Sequence, residues 1–511
     1  CSVTLNKTNT ASIGIYLGNH IATVTTSLTI TATTDAHNNN KFYGNTISNV
    51  YGAFSIAGFA ALSPYTLYDQ NNEIGVTSAN TISNLGGSTV SVRAIYGIYQ
   101  NGLKVANNTI NSSVNGATTT VYGIFLSTGT SSNVSIYGNT ITLTFTSGAY
   151  TSTIYGINNA MGSTASSNTV NIYNNIITGC NLSTVTTGGF QGIVNSATAA
   201  TVNINGNTIS SNTLAGTGAF YGIYNSASNG TNALNIYSNT INGNSKSGTS
   251  GNLLGCQAST STISFYSNNI YNNSIAGGTG TLYGYYNVGS PVTESYYNNN
   301  IYSLTHNGTG AVYGISIVTA SGTKNAYGNI INSLSSAGGA VYGYSSGYGA
   351  PHNFYKNRIY NLTSTTASGL VYGVSFSPTT LNMYNNYISD LKAPAATGLL
   401  AVTGINISGG TTANVFYNTV YLNSTSSSVT TFGTSGIYKS STTTGDFRNN
   451  IIVNNSTPGP TGGFTVAHRW SGAYNATYYS ANSNNNLFYA GTPGTNNLIF
   501  YDGINSDQTI A

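Results

Sequence analysis

Carboxylates are the side chains here best suited to acid–base chemistry, and they are few: Asp35, Asp69, Glu73, Glu294, Asp390, Asp446, Asp502 and Asp507. Hydrolysis of a glycosidic bond requires two of them to converge within about 5–10 Å. Only Asp69 with Glu73, and Asp502 with Asp507, lie close in sequence. Either pair supplies too few oxygens for the six to eight that calcium takes. His20, His37, His306, His352 and His468 show no metal-ligand spacing. Cys1, Cys180 and Cys256 form neither a disulfide framework nor a metal spacing. Lys356 and Arg358 flank Asn357 as a small basic spot, whose ordinary reading is a solvated pair rather than a lyase base. No catalytic residue, metal ligand or cofactor site is assigned, and the chain is expected not to be an enzyme.

Tyrosine is the other chemically capable residue, with 41 copies. Tyr137, Tyr173, Tyr237, Tyr266, Tyr297, Tyr327, Tyr355 and Tyr384 each follow an apolar residue of an alternating run, which predicts an outward aromatic row. Such a row stacks on sugar rings or packs against another copy of the chain. The plainer reading is that each ring shields the bend beside it. A second series, Tyr96 through Tyr372, shares parity with apolar positions and is expected inward or at a corner.

The elements that position these residues are copies of one cassette. Leu234 to Ile241 (LNIYSNTI) recurs as Val134 to Ile141, Val170 to Ile177, Val202 to Ile209, Ile263 to Ile270 and Leu381 to Ile388. Its asparagine falls at Asn139, Asn175, Asn207, Asn239, Asn268, Asn299, Asn329, Asn357 and Asn386, and the series extends to Asn45 on one side and Asn450 on the other. The period is about 31 residues. Half a period away lies Tyr-Gly-Ile or a relative, as at Tyr122 to Ile124 and Tyr313 to Ile315. Fixed strand-like runs with Ser/Thr/Gly/Asn turns of varying length mark a solenoid. The period-2 alternation predicts strands with one buried face, and no 3.6-residue apolar period appears. Stacked coils would align Ile98, Ile124, Ile157, Ile193 and Ile223 in one interior column and Ile141, Ile177, Ile209 and Ile241 in another. The asparagines would form a ladder at a bend, where asparagine tolerates left-handed geometry and its amide both donates and accepts. The expected fold is an all-β parallel solenoid of about 14–15 coils with essentially no helix.

The pattern G-I, spacer, I-x-x-N-x-I resembles the repeat of right-handed parallel β-helix proteins, which include pectate lyases, polygalacturonases and many bacterial surface proteins. The resemblance covers nearly the whole chain and implies that fold. It leaves function open, because the fold carries enzymes and inert stalks alike. Enzymes of the group act with carboxylates gathered on neighbouring coils. Here Glu294, Asp390 and Asp446 take different phases relative to the nearest repeat asparagine and lie several coils apart. The stretch from Ser483 to Ala511 is also similar to segments of large secreted Bacteroidota proteins exported by the type IX system.

Composition narrows the partners. Only 4% of the residues are charged, against about 25% in ordinary soluble domains. A surface with so little like-charge repulsion tolerates close neighbours, including copies of itself. The net charge of +4 is dispersed, so no nucleic-acid partner is expected. No apolar run is long enough for a membrane span. Residues 1–455 read as the solenoid, with an irregular insertion at about 53–72, and 456–511 as irregular, aromatic-rich final coils of what reads as a piece of a longer chain. Cys1 suits either a lipid-anchored terminus or the point where such a piece begins. These features predict a non-catalytic structural or adhesive stalk or fibre, extracellular or on a bacterial cell surface, associating with itself or with glycans. One alternative is a carbohydrate-active lyase or hydrolase, whose sign would be clustered carboxylates in a groove beside 53–72. Another is an ice-binding face, suggested by Thr-rich turns such as 117–120, although varying turn lengths argue against a flat array.

Overall fold

The computed structural model describes residues 1–509 except 21–27, 88, 164–166, 228–231, 259–261 and 319–320. The chain is a parallel β-solenoid of about 14 coils at about 31 residues per turn. Among the described residues, the helical content is two short 3₁₀ turns, Thr33–Asp35 and Ala476–Tyr478. Two compact units, Cys1–Ser264 and Phe265–Ala511, are considered in turn.

In the first unit one coil illustrates the rest. Thr201–Asn205 forms a leading strand, Thr208–Ser210 a trailing strand after the asparagine bend, and Phe220–Asn225 the strand that carries the glycine. Each pairs in parallel with its counterparts one coil away, so like residues fall in columns. Ile136, Ile172, Ile204 and Ile236 register on the leading sheet. Ile141, Ile177, Ile209 and Ile241 register on the trailing sheet. The glycine sheet aligns Ile124, Ile157, Ile193, Ile223 and Cys256. These side chains are at most 1% exposed, and each buried Ile contributes roughly 1.5–3 kcal/mol relative to exposure. β-Branched side chains suit this pleated, one-sided burial.

The glycine has a packing reason. A Cβ on Gly156 would lie 2.6 Å from the Gly192 carbonyl oxygen and 2.8 Å from Ile177 Cδ1. Its absence lets the trailing-sheet isoleucine seat directly on the glycine sheet, which couples the two cassettes half a period apart.

Three expectations are corrected here. Ile98 is not in the interior column: Ile95 pairs with Ile124, while Ile98 is half-buried and pairs with Ala57. The register follows the inward aliphatic residue, so Arg93, not Tyr96, lies beside Tyr122. The left-handed residue at the bend is not the ladder asparagine but the residue before it, as at Gly138 (φ 65), Asn174 (φ 53), Gly206 (φ 64) and Ser238 (φ 55). Finally, the segment expected as an insertion at 53–72 begins with an ordinary glycine-sheet strand, Gly52–Ala57, and resumes pairing at Asp69–Gln70. The excursion is 58–68.

The second unit keeps the same three sheets with a more aromatic interior. Its leading column runs Tyr296, Ala326, Phe354, Met383, Val415 and Phe447. Its glycine-sheet column runs Tyr285, Ile315, Tyr344, Val374, Ile405, Ile437, His468 and Phe500. Large residues meet across the interior, Tyr285 edge-on to Tyr296 at 5.0 Å and Tyr344 against Phe354 at 4.9 Å, with the smaller pair Ile315 and Ala326 between. Large and small residues thus alternate from coil to coil, as close packing of the section requires. The final strand, Ser506–Asp507, turns back antiparallel on Asn497–Tyr501.

Candidate functional site

The repeat asparagines sit inside the bend between leading and trailing sheets, 0–3% exposed from Asn80 onward. In the first unit Asn139 Nδ2 donates to Asn175 Oδ1 (2.9 Å), Asn175 to Asn207 (3.0 Å) and Asn207 to Asn239 (3.0 Å). In the second the same bond joins Asn268 to Asn299, Asn299 to Asn329, Asn329 to Asn357 and Asn357 to Asn386 at 2.9–3.0 Å. Each Oδ1 also accepts a backbone N–H from the previous coil, as Asn357 Oδ1 does from Asn329 N (3.1 Å). Each Nδ2 also reaches a backbone carbonyl, as Asn357 does to Ala326 (2.9 Å). The row runs on to Asn486, which accepts from Asn450 (2.9 Å) in the stretch where the repeat fades from sequence.

Outside that bend lie the tyrosines. In the second unit Tyr266, Tyr297, Tyr327, Tyr355 and Tyr384 make one uninterrupted stack, with ring centroids 4.7–4.9 Å apart and planes within 6° of parallel. Phe416 follows Tyr384 in register, and the Arg448 guanidinium lies over it at 5.2 Å, held by Asp446 (2.9 Å). In the first unit Tyr137 and Tyr173 stack at 4.8 Å, but Asn205 takes the next place before Tyr237. Stacked at the coil repeat, these rings use their faces on one another. What they present outward is edges and hydroxyls, which suits packing and hydrogen bonding better than face-on stacking with a sugar.

The Tyr96–Tyr372 series corrects another expectation. Val121–Leu126 buries both Gly123 and Ile124, so the alternation slips by one place and Tyr122 points outward. Tyr283, Tyr313, Tyr342 and Tyr372 therefore make a second outer stack, at 4.6–5.1 Å. Half-burial raises these phenols, Tyr372 to about 12.

Each outward position of the second unit's leading strands between Thr293 and Tyr384 is uncharged. Beside the tyrosines, two residues earlier on each strand, runs an outer amide row, Asn414 to Asn382, Asn382 to Asn353 and Asn353 to Asn325, each at 2.9 Å. A threonine row, Thr293 with Thr323 and Thr380 with Thr412, is interrupted at Pro351, which precedes His352 in register with Lys324.

Most carboxylates already have partners. Asp69, 2% exposed, accepts from His37 N (3.0 Å) and Gln100 Nε2 (2.9 Å), and burial pushes its carboxyl up. Glu73 binds the Tyr43 hydroxyl and Lys104 Nζ (3.0 Å), and these contacts, Tyr43 first, hold it below the usual range. Asp390 occupies a left-handed position (φ 52) four residues after the ladder asparagine, a place that Asn272, Ser303, Ser333 and Asn361 fill on other coils, and it pairs with Lys392 (2.8 Å). Asp502 accepts from the backbone N–H groups of Tyr474, Ile504 and Asn505, which outweigh the upward push of burial. Lys356 and Arg358 are exposed. Cys180 and Cys256 are buried free thiols, Cys180 raised by burial to about 12, and Cys1 is exposed.

Sequence reasoning missed a buried ionisable column. Glu294, Lys324 and His352 register on three successive leading strands, each at most 1% exposed, in the slot that Val170 and Val202 fill elsewhere. Lys324 Nζ donates to the Ser321 carbonyl (2.8 Å), and His352 Nε2 meets the Tyr344 hydroxyl (2.9 Å). Aligning TESYY, TKNAY and HNFY with TVNIY would have found them. Burial lowers His352 to about 3, with Lys324 adding to the effect. Lys439 is likewise buried, its Nζ 3.7 Å from the Trp470 ring and lowered by desolvation to about 7.

Two of the hollows bear on the expectations from sequence. One of about 340 Å³ in the second unit is walled by Tyr474, Tyr479, Phe488 and Phe500, with His468 at its side. Beside the 58–68 excursion, a hollow of about 310 Å³ is lined by Pro64, Tyr65, Tyr68, Gln70 and Asn101, without a carboxylate among its described lining residues. Among the described residues, no group of three or more metal-ligating side chains comes together, and no helix is long and apolar enough to cross a membrane. No family model, no curated protein and no solved structure matches this chain.

Proposed function

We propose that this chain is a non-catalytic structural or adhesive solenoid of a bacterial surface or extracellular matrix, and that its stacked outer tyrosines are the surface by which copies pack together or hold glycans. The observation that carries the reading is the five-ring stack from Tyr266 to Tyr384 beside an uncharged leading face. A row of aromatic edges and hydroxyls at the coil repeat, about 4.8 Å, is complementary to a second such row shifted by half a coil. Such packing needs no charge complementarity, in keeping with a chain only 4% charged. Engagement of most of its few carboxylates in structural contacts also favours a binding role over acid–base catalysis.

The test is sedimentation velocity with electron microscopy on the wild type and on the triple variant Tyr297→Ser, Tyr327→Ser, Tyr355→Ser, with retention on immobilised glycans measured in parallel. Wild-type material is expected to associate side by side or to be retained, and the triple variant to stay dispersed and unretained while keeping its β-sheet circular dichroism. Equal association and retention of the two folded proteins would remove the tyrosine row from the proposal.

A further inference from the structure

The outward face of the glycine sheet in the first unit contains a gap with a specific origin. Register places Tyr16, Ser55, Tyr96 and Phe125 in one outward row, and Ile13, Gly52, Arg93 and Tyr122 in the row beside it. Ser55 and Gly52 belong to the same coil and are the smallest members of their rows. Ser55 stands between the rings of Tyr16 and Tyr96, and Gly52 between Ile13 and Arg93, so this coil carries a hydroxymethyl group and a hydrogen where its neighbours carry large side chains. The consequence is a hollow of about 180 Å³ bordered by Tyr16, Tyr51, Tyr96 and Arg93 and floored by Gly52 and Ser55. A cavity of about 150 Å³ is enough to hold benzene.

The charge beside the gap has no anionic partner among the described residues. Arg93 lies over the Tyr96 ring at 4.3 Å and near Phe125 at 5.4 Å. Arg93 is half-buried, and these ring contacts supply no hydrogen-bond acceptor to its guanidinium donors. Its Nε is buried without a hydrogen-bond partner, and among the described residues none of the three ion pairs includes it. Buried donors are ordinarily satisfied, and Arg93 lines the hollow, so its guanidinium offers unengaged hydrogen-bonding capacity beside that space. Planar carboxylates match a guanidinium edge in two parallel hydrogen bonds.

We propose that this hollow binds an aromatic carboxylate, with the ring filling the place left by Ser55 and Gly52 and the carboxylate meeting the Arg93 donors. The ring supplies what the outer row lacks at this coil, and the anion supplies what Arg93 lacks. The site is independent of the packing surface in the second unit.

The experiment is isothermal titration calorimetry of the full chain with 4-hydroxybenzoate, with its neutral amide 4-hydroxybenzamide, and with inorganic phosphate. Saturable binding of 4-hydroxybenzoate is expected, at least about tenfold tighter than the amide or phosphate and weakened by added salt. Arg93→Gln is expected to lose at least about tenfold. Ser55→Phe, which fills the gap from an outward position, is expected to abolish binding with the melting temperature maintained. Equal binding of acid and amide would overturn the role of Arg93, and equal binding of phosphate would overturn the ring requirement. Full binding by Ser55→Phe, or no saturable binding by the wild type, would overturn the site itself.

Discussion

Two rows of asparagine run along the second unit, one inside the bend and one on the leading face. Their side-chain bonds are indistinguishable in length: 2.9 Å from Asn329 to Asn357 within, 2.9 Å from Asn382 to Asn353 without. They run in opposite senses, the inner donating to the following coil and the outer to the preceding one. They also differ in company. Each inner amide is nearly inaccessible and additionally bonds backbone N–H and C=O groups, whereas each outer amide is half-exposed and bonds only its own kind. Length does not measure worth. Water replaces a lost outer bond and cannot reach a lost inner one.

Breaking the inner row should give the largest effect. Asn357→Ala takes one buried partner from each of Asn329 N, Asn329 Nδ2, the Ala326 carbonyl and Asn386 Oδ1, although Asn329 Nδ2 keeps the Tyr296 carbonyl and Asn386 Oδ1 keeps the backbone N–H of residue 357. At about 1–3 kcal/mol for an orphaned group, with some relaxation, the expected loss is about 3–6 kcal/mol, read from the denaturant midpoint and from amide exchange in the adjoining coils. Gly314→Ala asks whether coil packing matters as much as the amides. Its Cβ would lie 2.5 Å from the Gly343 oxygen and 2.6 Å from Ile331 Cγ2, and a loss of about 1–3 kcal/mol is expected by the same measurement.

His352 sharpens the contrast, being a buried polar group outside any ladder. Its folded pKa is depressed to about 3, and that of His468 is also about 3, each chiefly by desolvation. Each therefore contributes stability that is present above about pH 6.5 and lost as pH falls toward about 3, because the unfolded chain takes up the proton first. The slope is at most about 1.4 kcal/mol per pH unit for each histidine, and His352→Phe should remove one share of it in acid titrations followed by circular dichroism. The smallest effect belongs to the outer row: Asn382→Ala should cost under about 1 kcal/mol in the same denaturant series. A loss there equal to that of Asn357→Ala would refute the claim that burial decides the value of these bonds.

Much of the architecture was legible because a solenoid writes its fold once per coil. The isoleucines from Ile141 to Ile388 recur at a period that only stacked strands satisfy, and side-chain alternation tells which of them face inward. What was hidden was mostly one-residue detail. The slip at Gly123 and Ile124 turns Tyr122 outward, and the Tyr96-Gly97-Ile98 triplet mimics the cassette three residues away from the true register at Ile95. The left-handed place before most ladder asparagines shows in sequence as a preference for Gly, Asn and Ser, yet the asparagine itself also tolerates that geometry and so draws the assignment one residue on. Arg93 carried no sequence signal, since its lack of a partner is a property of surroundings rather than of spacing.

The amino-acid order by itself determined the coil, the inward columns and the nearly uncharged exterior, because each follows from polarity repeated at a fixed interval. Tertiary structure alone decided which tyrosine faces are covered, which amides are shut off from water, and where a missing ring leaves Arg93 beside a hollow. These depend on what stands one coil above and below, roughly 31 residues away along the chain but only about 4.8 Å away in space.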